Sequence, residues 1–168
     1  MELGETERGY TELYEGHLLV WPSQSVRHSI ATLNLAFQLD PQLPDDLHIV
    51  LATDVDLQLA KPDEPGFVRR PDLVVMRNTA GDRVDEECGL LRASDIVLVV
   101  EVVEPHSRRT DFVVKRADYA DAGIPGYWVI DLEPLVSLTP YRDAPAVTRE
   151  FITTAPFPLT VRVDTLLD

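Results

Sequence analysis

The sequence predicts a mixed α/β fold of the α+β kind, in which a mixed sheet is flanked by helices. Three observations predict it: an amphipathic helical segment near residue 30, short apolar segments on both sides of it, and a strand–helix–strand unit between Ile96 and Asp131. The 168 residues are enough to bury a core, so we expect residues 1–168 to form a single domain.

The N-terminal elements are a turn-and-strand unit and a helix. Leu13–Val20 has the alternation of a strand with a turn at its start. A helix is predicted from about Ser25 to Leu39, with Ile30, Leu33 and Phe37 on one stripe. Pro41 and Pro44 should end it, because proline cannot continue a helix.

The middle of the chain predicts three strands and a loop. Leu47–Ala52 and Asp54–Ala60 have strand composition, and Leu73–Met76 is short and apolar enough for a buried strand. Residues 77–95 are polar and irregular, so we predict a surface loop there.

The C-terminal part contains the strand–helix–strand unit. Ile96–Val103 is the most apolar run of the chain and predicts a central strand. A helix should follow over about Thr110 to Ala122, closed by Gly123 and Pro125. The remaining predicted strands are Tyr127–Asp131 and a meander at one sheet edge, Val136–Tyr141, Val147–Thr153 and Leu159–Val163.

The charge balance argues against long-range attraction to nucleic acid. The chain has 15 Lys and Arg against 29 Asp and Glu, a formal net charge of −14. The segment from Lys61 to Arg116 is nearly neutral, however, with ten basic and eleven acidic residues. A bound divalent metal would cancel two or three of its acids, which would leave a locally positive site flanked by arginines at positions 69, 70, 108 and 109.

The remaining bulk features predict a cytoplasmic protein that does not span a membrane. No apolar stretch approaches the roughly 18–20 residues needed to cross a bilayer. The acidic N-terminus lacks the pattern of a signal peptide, and the single cysteine, Cys88, suits a reducing compartment as an ordinary loop thiol.

Two carboxylates stand at unusual positions. Glu101 lies near the end of the most apolar strand, where an unpaired charge is costly and needs a cation, a proton or a hydrogen-bond partner. Asp72 follows Pro71 at the head of another buried strand. The ordinary alternatives are a strand-end Glu bonded to backbone or arginine and a turn-capping Asp.

Lys115 lies at the margin of the apolar stripe of the predicted helix that leaves the Glu101 strand. Its ordinary role would be to cover apolar surface while its ammonium group stays in water. A lysine one turn into this helix can also point at the carboxylates, and an amine beside two carboxylates and a metal-bound water suits phosphodiester hydrolysis. Oxygen ligands without a Cys/His cluster favour Mg²⁺ or Mn²⁺ over zinc.

At these residues the chain resembles a known family, the Uma-type restriction endonucleases, a bacterial branch of the PD-(D/E)xK nuclease superfamily. The similarity extends from about Leu13 to Asp131, including Tyr14–Gly16 and the Pro22 to His28 stretch. The segments that carry it most clearly are Pro71–Val75, Val100–Val103, Asp111–Tyr119 and Ala122–Asp131.

The resemblance implies a restriction-endonuclease-like core and a set of site residues. Asp72, Glu101 and the backbone carbonyl of Val102 would bind the metal, and Lys115 would supply the amine that the superfamily usually places at the position of Val103. Accessory candidates are Glu15, His28 and Glu104. The sequence departs from the family at Glu104, where serine is common, and at His17, where an acidic residue is common.

The leading functional hypothesis is a metal-dependent nuclease that acts on DNA, with a homodimer possible because cutting both strands needs two sites. The main alternative is an inactive nuclease-fold binding module, suggested by the charge of −14 and the departures at Glu104 and His17. A hydrolase that uses paired carboxylates on another substrate is a third class. No basic recognition helix is visible that would predict sequence specificity.

Overall fold

The computed structural model describes residues 3–7, 9–61, 63–140 and 144–168. Its helices are α1 (Val26–Leu39), α2 (Thr79–Glu87) and α3, which begins as a π-helix at Thr110–Lys115 and continues as an α-helix over Arg116–Asp121. Its strands are β1 (Gly4–Thr6), β2 (Gly9–Tyr14), β3 (His17–Pro22), β4 (Leu47–Leu51), β5 (Val55–Asp56), β6 (Val68–Arg69), β7 (Leu73–Arg77), β8 (Leu91–Arg92), β9 (Ile96–Val103), β10 (Gly126–Asp131), β11 (Ser137–Pro140), β12 (Glu150–Thr153) and β13 (Leu159–Arg162).

The predicted mixed α+β fold is confirmed, and its centre is a five-stranded mixed sheet. The strand order is β11-β10-β9-β7-β4, with β9 and β10 parallel and the other neighbours antiparallel. All eight residues of β9 are buried, because both faces of this strand are covered. The long apolar run that predicts a central strand therefore has the expected place.

The two faces of β9 belong to two separate apolar cores. Val100 and Val102 pack into the core that contains α1, whereas Val99 and Val103 pack into the core on the α3 side. Simple alternation would put Val97 with Val99, but Val97 lies in the α1 core. The reason is a register shift between β7 and β9 at Val75/Met76, which interrupts the alternation at the start of the strand.

A second sheet covers the α3 side of the central sheet. Its order is β1-β2-β6-β5-β8, and β3 pairs with β2 as the other arm of a hairpin. The hairpin turn has Glu15 at φ 48° and Gly16 at φ 75°. Val55 and Leu57 of this region are buried in the same core as Tyr119 of α3, so the second sheet closes over α3 and the central sheet together.

Helix α1 begins and ends as its sequence predicts. The Ser25 side chain accepts a hydrogen bond from the His28 backbone N–H at 3.2 Å, which is an ordinary N-cap. Its inner face buries Ala31, Leu35 and Leu39 against the central sheet. The apolar stripe that predicts the helix points away from this core and is exposed.

The loop predicted over residues 77–95 is wrong, because the segment contains α2. Ala80 is the only buried residue of this nine-residue helix and Val84 is partly buried, so its apolar stripe is only two residues long in a mostly polar segment. An i,i+4 ion pair between Arg83 and Glu87 and a second ion pair from Arg83 to Asp95 support it instead.

Two strand predictions are also corrected. Asp54–Ala60 forms a strand only at Val55–Asp56, because Gln58 has φ 56° and turns the chain. In the C-terminal meander only β11 joins the central sheet, while β12 and β13 form a separate two-stranded sheet. Tyr141, the predicted end of the first of these strands, lies outside the described residues.

Helix α3 ends as expected at Gly123, which has φ 73° and donates its backbone N–H to the Ala120 carbonyl at 3.0 Å. Tyr127 and Trp128, which follow in β10, are buried core aromatics. In the described part of the chain, no helix is long and apolar enough to cross a membrane.

Candidate active site

Asp72 stands at the head of β7, where backbone and side chains hold both of its carboxylate oxygens. Val102 of β9 donates its backbone N–H to Oδ2 at 2.6 Å, and His28 Nε2 lies 3.0 Å from the same oxygen. The Gln24 amide donates to Oδ1. Asp72 is 4% exposed and bonds across the sheet rather than to its own turn, so it is not a turn cap.

Glu101 projects from β9 on the α3 side and is met there by two donors. Its Oε1 accepts from Lys115 Nζ at 3.0 Å and from the Tyr119 hydroxyl at 2.7 Å. Burial raises the pKa of Glu101 well above its usual range; Lys115 opposes this shift, and the nearby carboxylates of Asp72 and Asp111 add to it. A further cation near Glu101 would therefore be strongly favourable.

Lys115 is one of two lysines in the chain and is buried, with 2% of its side chain exposed. Its Nζ lies 3.0 Å from Glu101 Oε1, 3.1 Å from Glu12 Oε1 and 3.6 Å from Asp111 Oδ1. Burial alone would lower the pKa of Lys115, but the charges of Glu101 and Glu12 raise it well above the usual value. The amine is therefore a fixed positive charge that stays inside the protein and does not reach water.

Glu12 is the member of this cluster that the sequence prediction misses. It lies in β2, is 0% exposed, and bonds to Arg69 as well as to Lys115. Burial raises its pKa, but the charges of Lys115 and Arg69 outweigh burial and the pKa of Glu12 is lowered. The available signal is strand alternation, which puts Glu12 on one face of β2 with Tyr10 and Tyr14.

Arg69 is an internal residue rather than part of a positive rim. Its guanidinium donates to Glu12 Oε2 at 2.9 Å and to Asp118 Oδ2 at 3.0 Å, and it stacks over Tyr14 at 4.9 Å from the ring centroid. The side chain is 1% exposed. The expected local positive charge at position 69 is therefore cancelled inside the protein.

Two more of the four arginines expected to flank the site also form ion pairs with carboxylates. Arg70 pairs with Asp54 at 3.1 Å, and Arg108 pairs with Asp131. Asp131 also accepts the Glu133 backbone N–H at 3.1 Å, so its carboxylate is used in structural contacts.

Asp111 is not the solvated first-turn acid that its sequence position suggests. It is 1% exposed and accepts a hydrogen bond from the Ser107 hydroxyl, while its Oδ1 is buried with no hydrogen-bond partner. Burial raises the pKa of Asp111, and Lys115 only partly offsets this. The buried face of α3 thus presents Asp111, Lys115 and Tyr119 at i, i+4 and i+8, a largely polar stripe on a helix whose buried face was predicted to be apolar.

The three accessory candidates occupy different places: one lies in the site, one at its rim and one in an exposed turn. His28 is in the site: it is 2% exposed, and the hydrogen bond to Asp72 raises its pKa although burial would lower it. Glu104 is at the rim, where its Oε1 accepts the Ser25 backbone N–H at 2.9 Å. Glu15 lies in the exposed β2–β3 turn beside His17 and does not line the cavity, so neither it nor the His17 departure touches the cluster.

The carboxylates line a small cavity. Asp72, Glu101 and Asp111 face it together with the Val102 backbone, and its volume is about 10 Å³, roughly the space of one water molecule. It adjoins a larger groove of about 810 Å³ at Glu104, lined also by Arg27 and other residues at the carboxyl ends of β9 and β10.

The oxygen donors fit a divalent cation of the magnesium type only if water molecules supply most of its ligands. Among the described residues, no three His, Cys, Asp or Glu side chains are arranged to hold a metal ion. Mg²⁺ needs only one or two carboxylates and keeps several waters, and Asp72 and Glu101 are hard oxygen donors of that kind. Asp111 Oδ1 has no hydrogen bond and only a 3.6 Å ion pair with Lys115, and the pKa of Glu101 is raised, so both carboxylates indicate a shortage of positive charge at this point.

The comparisons with known proteins agree with this fold. A crystal structure of a "putative nuclease belonging to DUF820" from Anabaena variabilis ATCC 29413 superposes with a TM-score of 0.67 at 19% sequence identity, covering 98% of this chain and 93% of that chain. At this identity the likeness establishes the fold. The architecture is therefore that of a nuclease-fold protein.

The family follows from the sequence match. Residues 1–150 match the model of Uma2, described as "Putative restriction endonuclease". The chain belongs to the Uma2 family, as its resemblance in the Asp72, Glu101 and Lys115 segments implies. No curated protein matches the chain.

Proposed function

We propose that this protein is a metal-dependent nuclease that hydrolyses phosphodiester bonds, with DNA as the substrate. The observation that carries the proposal is the buried Lys115, whose Nζ lies 3.0 Å from Glu101 beside the cavity that Asp72 also lines. An interior that had only to be stable would hold apolar side chains there, because buried charges cost several kcal/mol before pairing offsets them. The Uma2 description as restriction endonucleases supports the same chemistry.

Asp72, Glu101 and the Val102 carbonyl would hold the metal, Mg²⁺ or Mn²⁺. Such an ion polarises the phosphate and lowers the pKa of a bound water. The protein fixes its two carboxylates beforehand: His28 and the Val102 N–H orient Asp72, and Tyr119 orients Glu101.

Lys115 acts as a cation and not as a base. Its pKa is raised, so the amine is protonated and has no lone pair to accept a proton. From its position it opposes the effect of burial on the pKa of Glu101 and stabilises negative charge that develops on the phosphate. Glu12 positions the amine from the opposite side, at 3.1 Å.

Substrate entry requires the cavity to widen at Gln24 and Glu104. A cavity of about 10 Å³ does not admit a phosphodiester, whereas the adjoining groove of about 810 Å³ has room for several nucleotide groups. Gln24 covers Asp72 through a side-chain hydrogen bond, which a substrate or a metal can replace. Arg27 in the groove supplies a cation for phosphate contact.

The test is cleavage of supercoiled and single-stranded DNA with Mg²⁺ or Mn²⁺. Lys115→Met and Glu101→Gln should each lower the rate at least about a hundredfold, the usual scale for a lost electrostatic contact in the transition state. Lys61→Met is the matched control, since Lys61 is the other lysine and is 81% exposed. Circular dichroism of each variant verifies that it is folded. Metal-independent cleavage, or equal rates in all four proteins, would contradict the proposal.

The inactive binding module remains the second candidate because both oxygens of Asp72 already have protein donors. The two candidates differ in metal binding. A nuclease binds Mn²⁺ in calorimetry and loses it on Asp72→Asn, whereas a module that keeps only the fold shows no heat of binding with either protein.

A further inference from the structure

The outer face of α1 is apolar and has no partner in the described part of the chain. Val26, Ile30, Leu33 and Phe37 are 77%, 39%, 45% and 67% exposed. Their spacing of four, three and four residues is that of the contact positions of a coiled coil. We call these four residues the α1 seam. The inner face of the same helix is already buried against the sheet, so the α1 seam is a second apolar face.

The α1 seam is unusual for this acidic protein because it lies on a helix without Asp or Glu. The chain has 29 Asp and Glu in 168 residues, yet none lies within the fourteen residues of α1. A solvated helix face in so acidic a chain would normally carry carboxylates, which keep it soluble. Arg27 stands near the start of the helix, and Asp40, also exposed, follows its end. The surface that another molecule would touch is thus free of the repulsive charge that covers the rest of the protein.

We propose that the α1 seam is the contact surface of a homodimer in which the two α1 helices pack antiparallel. The spacing of the seam is the same in both chain directions, so a reversed copy sets Val26 against Phe37 and Ile30 against Leu33. This self-complementarity is what a two-fold interface requires. The small residues Ser29 and Ala36, which flank the α1 seam, allow the helices to approach closely.

The end charges favour the antiparallel arrangement over the parallel one. Antiparallel packing brings the Arg27 end of one helix to the Asp40 end of the other, and it also opposes the two helix dipoles. Parallel packing would bring like charges to the same end. An acidic partner protein has only one exposed cation on this helix to bind, and a basic partner has no carboxylate within α1, so a second copy fits best.

The dimer would set the two candidate sites at opposite ends of the α1 seam. His28, which contacts Asp72, lies in the first turn of α1. With Val26 set against Phe37, His28 of one copy stands level with Leu35 of the other, so the two His28 residues are about 10 Å apart along the helix axis.

Sedimentation velocity over a range of protein concentrations tests the interface. One helix pair buries less than the roughly 800 Å² per partner of a standard interface, so we expect a dissociation constant in the micromolar range. Higher salt should tighten the dimer, because it screens the repulsion between two chains of charge −14.

Leu33→Glu/Phe37→Glu should raise the dissociation constant about thirtyfold or more, the loss expected for hot-spot side chains. Ile152→Glu/Val113→Glu is the control, since both replaced residues are exposed apolar side chains elsewhere, 68% and 59%. Circular dichroism at low concentration checks that both double variants fold. A wild type that stays monomeric at all concentrations, or a dimer that the seam variant leaves unchanged, would overturn the proposal.

Cross-linking tests the helix direction. In a Cys88→Ser background, which removes the only cysteine, Val26→Cys and Phe37→Cys proteins are treated with a short bismaleimide separately and mixed. Antiparallel packing predicts cross-linked dimers in the mixture and few in either protein alone. Cross-linking of each protein to itself, with none between them, would contradict the antiparallel seam.

Discussion

Helices α1 and α3 flank opposite faces of the same sheet but bury opposite kinds of side chain. Helix α1 packs Ala31, Leu35 and Leu39 against the sheet, whereas the buried stripe of α3 is formed by Asp111, Lys115 and Tyr119. Apolar residues remain outside on both helices, at the α1 seam and at Val113. One face of the sheet is therefore built for stability, and the other holds charges at a cost that only their mutual pairing offsets.

The difference between the two helices shows which kind of buried residue marks a candidate site in this fold. Leu35 needs only apolar neighbours, which many sequences supply. Lys115 has three carboxylates within 3.6 Å, and two of them, Glu12 and Glu101, come from other elements. Such a cluster is specific because removing Lys115 leaves buried carboxylates without their cation.

The largest effect on stability is expected at Arg69, which links the second sheet to α3. Arg69→Met leaves Glu12 and Asp118 without their buried cation and should lower the free energy of unfolding by about 3–5 kcal/mol. Urea denaturation measures this. Arg83→Met is the control, because Arg83 forms its ion pairs in a solvent-accessible position, where such pairs contribute little to stability. Equal losses in both variants would refute the contrast between buried and surface charge.

A somewhat smaller effect is expected on the apolar side of the sheet. Leu35→Ala removes a side chain that is 0% exposed and should cost about 2–5 kcal/mol. Phe37→Ala, two residues further along α1 and 67% exposed, should change the stability of the monomer by less than about 0.5 kcal/mol. Thermal unfolding at low protein concentration compares the two. A loss at Phe37 as large as that at Leu35 would mean that the outer face packs within the monomer.

The smallest expected effect is on the pH dependence of stability, and it tests only the charged residues on the α3 side of the sheet. The pKa of Glu12 is lowered from 4.5 on folding, so its contribution is complete above that pH and is lost as pH falls through the lowered value. Wild type should therefore lose more stability than Glu12→Gln on acidification below about pH 4.5. Glu101 changes in the opposite direction, because its raised pKa makes its ionised form costly above pH 4.5, and it is present in both proteins. Equal losses of stability on acidification in wild type and Glu12→Gln would show that Glu12 is not ionised in the folded state.

Local spacing in the sequence determined most of the elements. The unbroken apolar run Ile96–Val103 predicted the central strand, and the Ser25 cap and Gly123 stop predicted the ends of two helices, because these signals depend on neighbouring residues only. The polar helix α2 was missed because its apolar stripe consists only of Ala80 and the partly buried Val84.

The sequence also singled out Asp72, Glu101 and Lys115, since a charge in an apolar setting is visible without a structure. Only the tertiary structure decided which charges join them. Glu12 and Arg69 are 57 residues apart in the chain and form an ion pair inside the protein. Burial of a charge depends on whether distant groups of opposite sign reach it, and that information is held by the packing of the sheets and not by any local pattern.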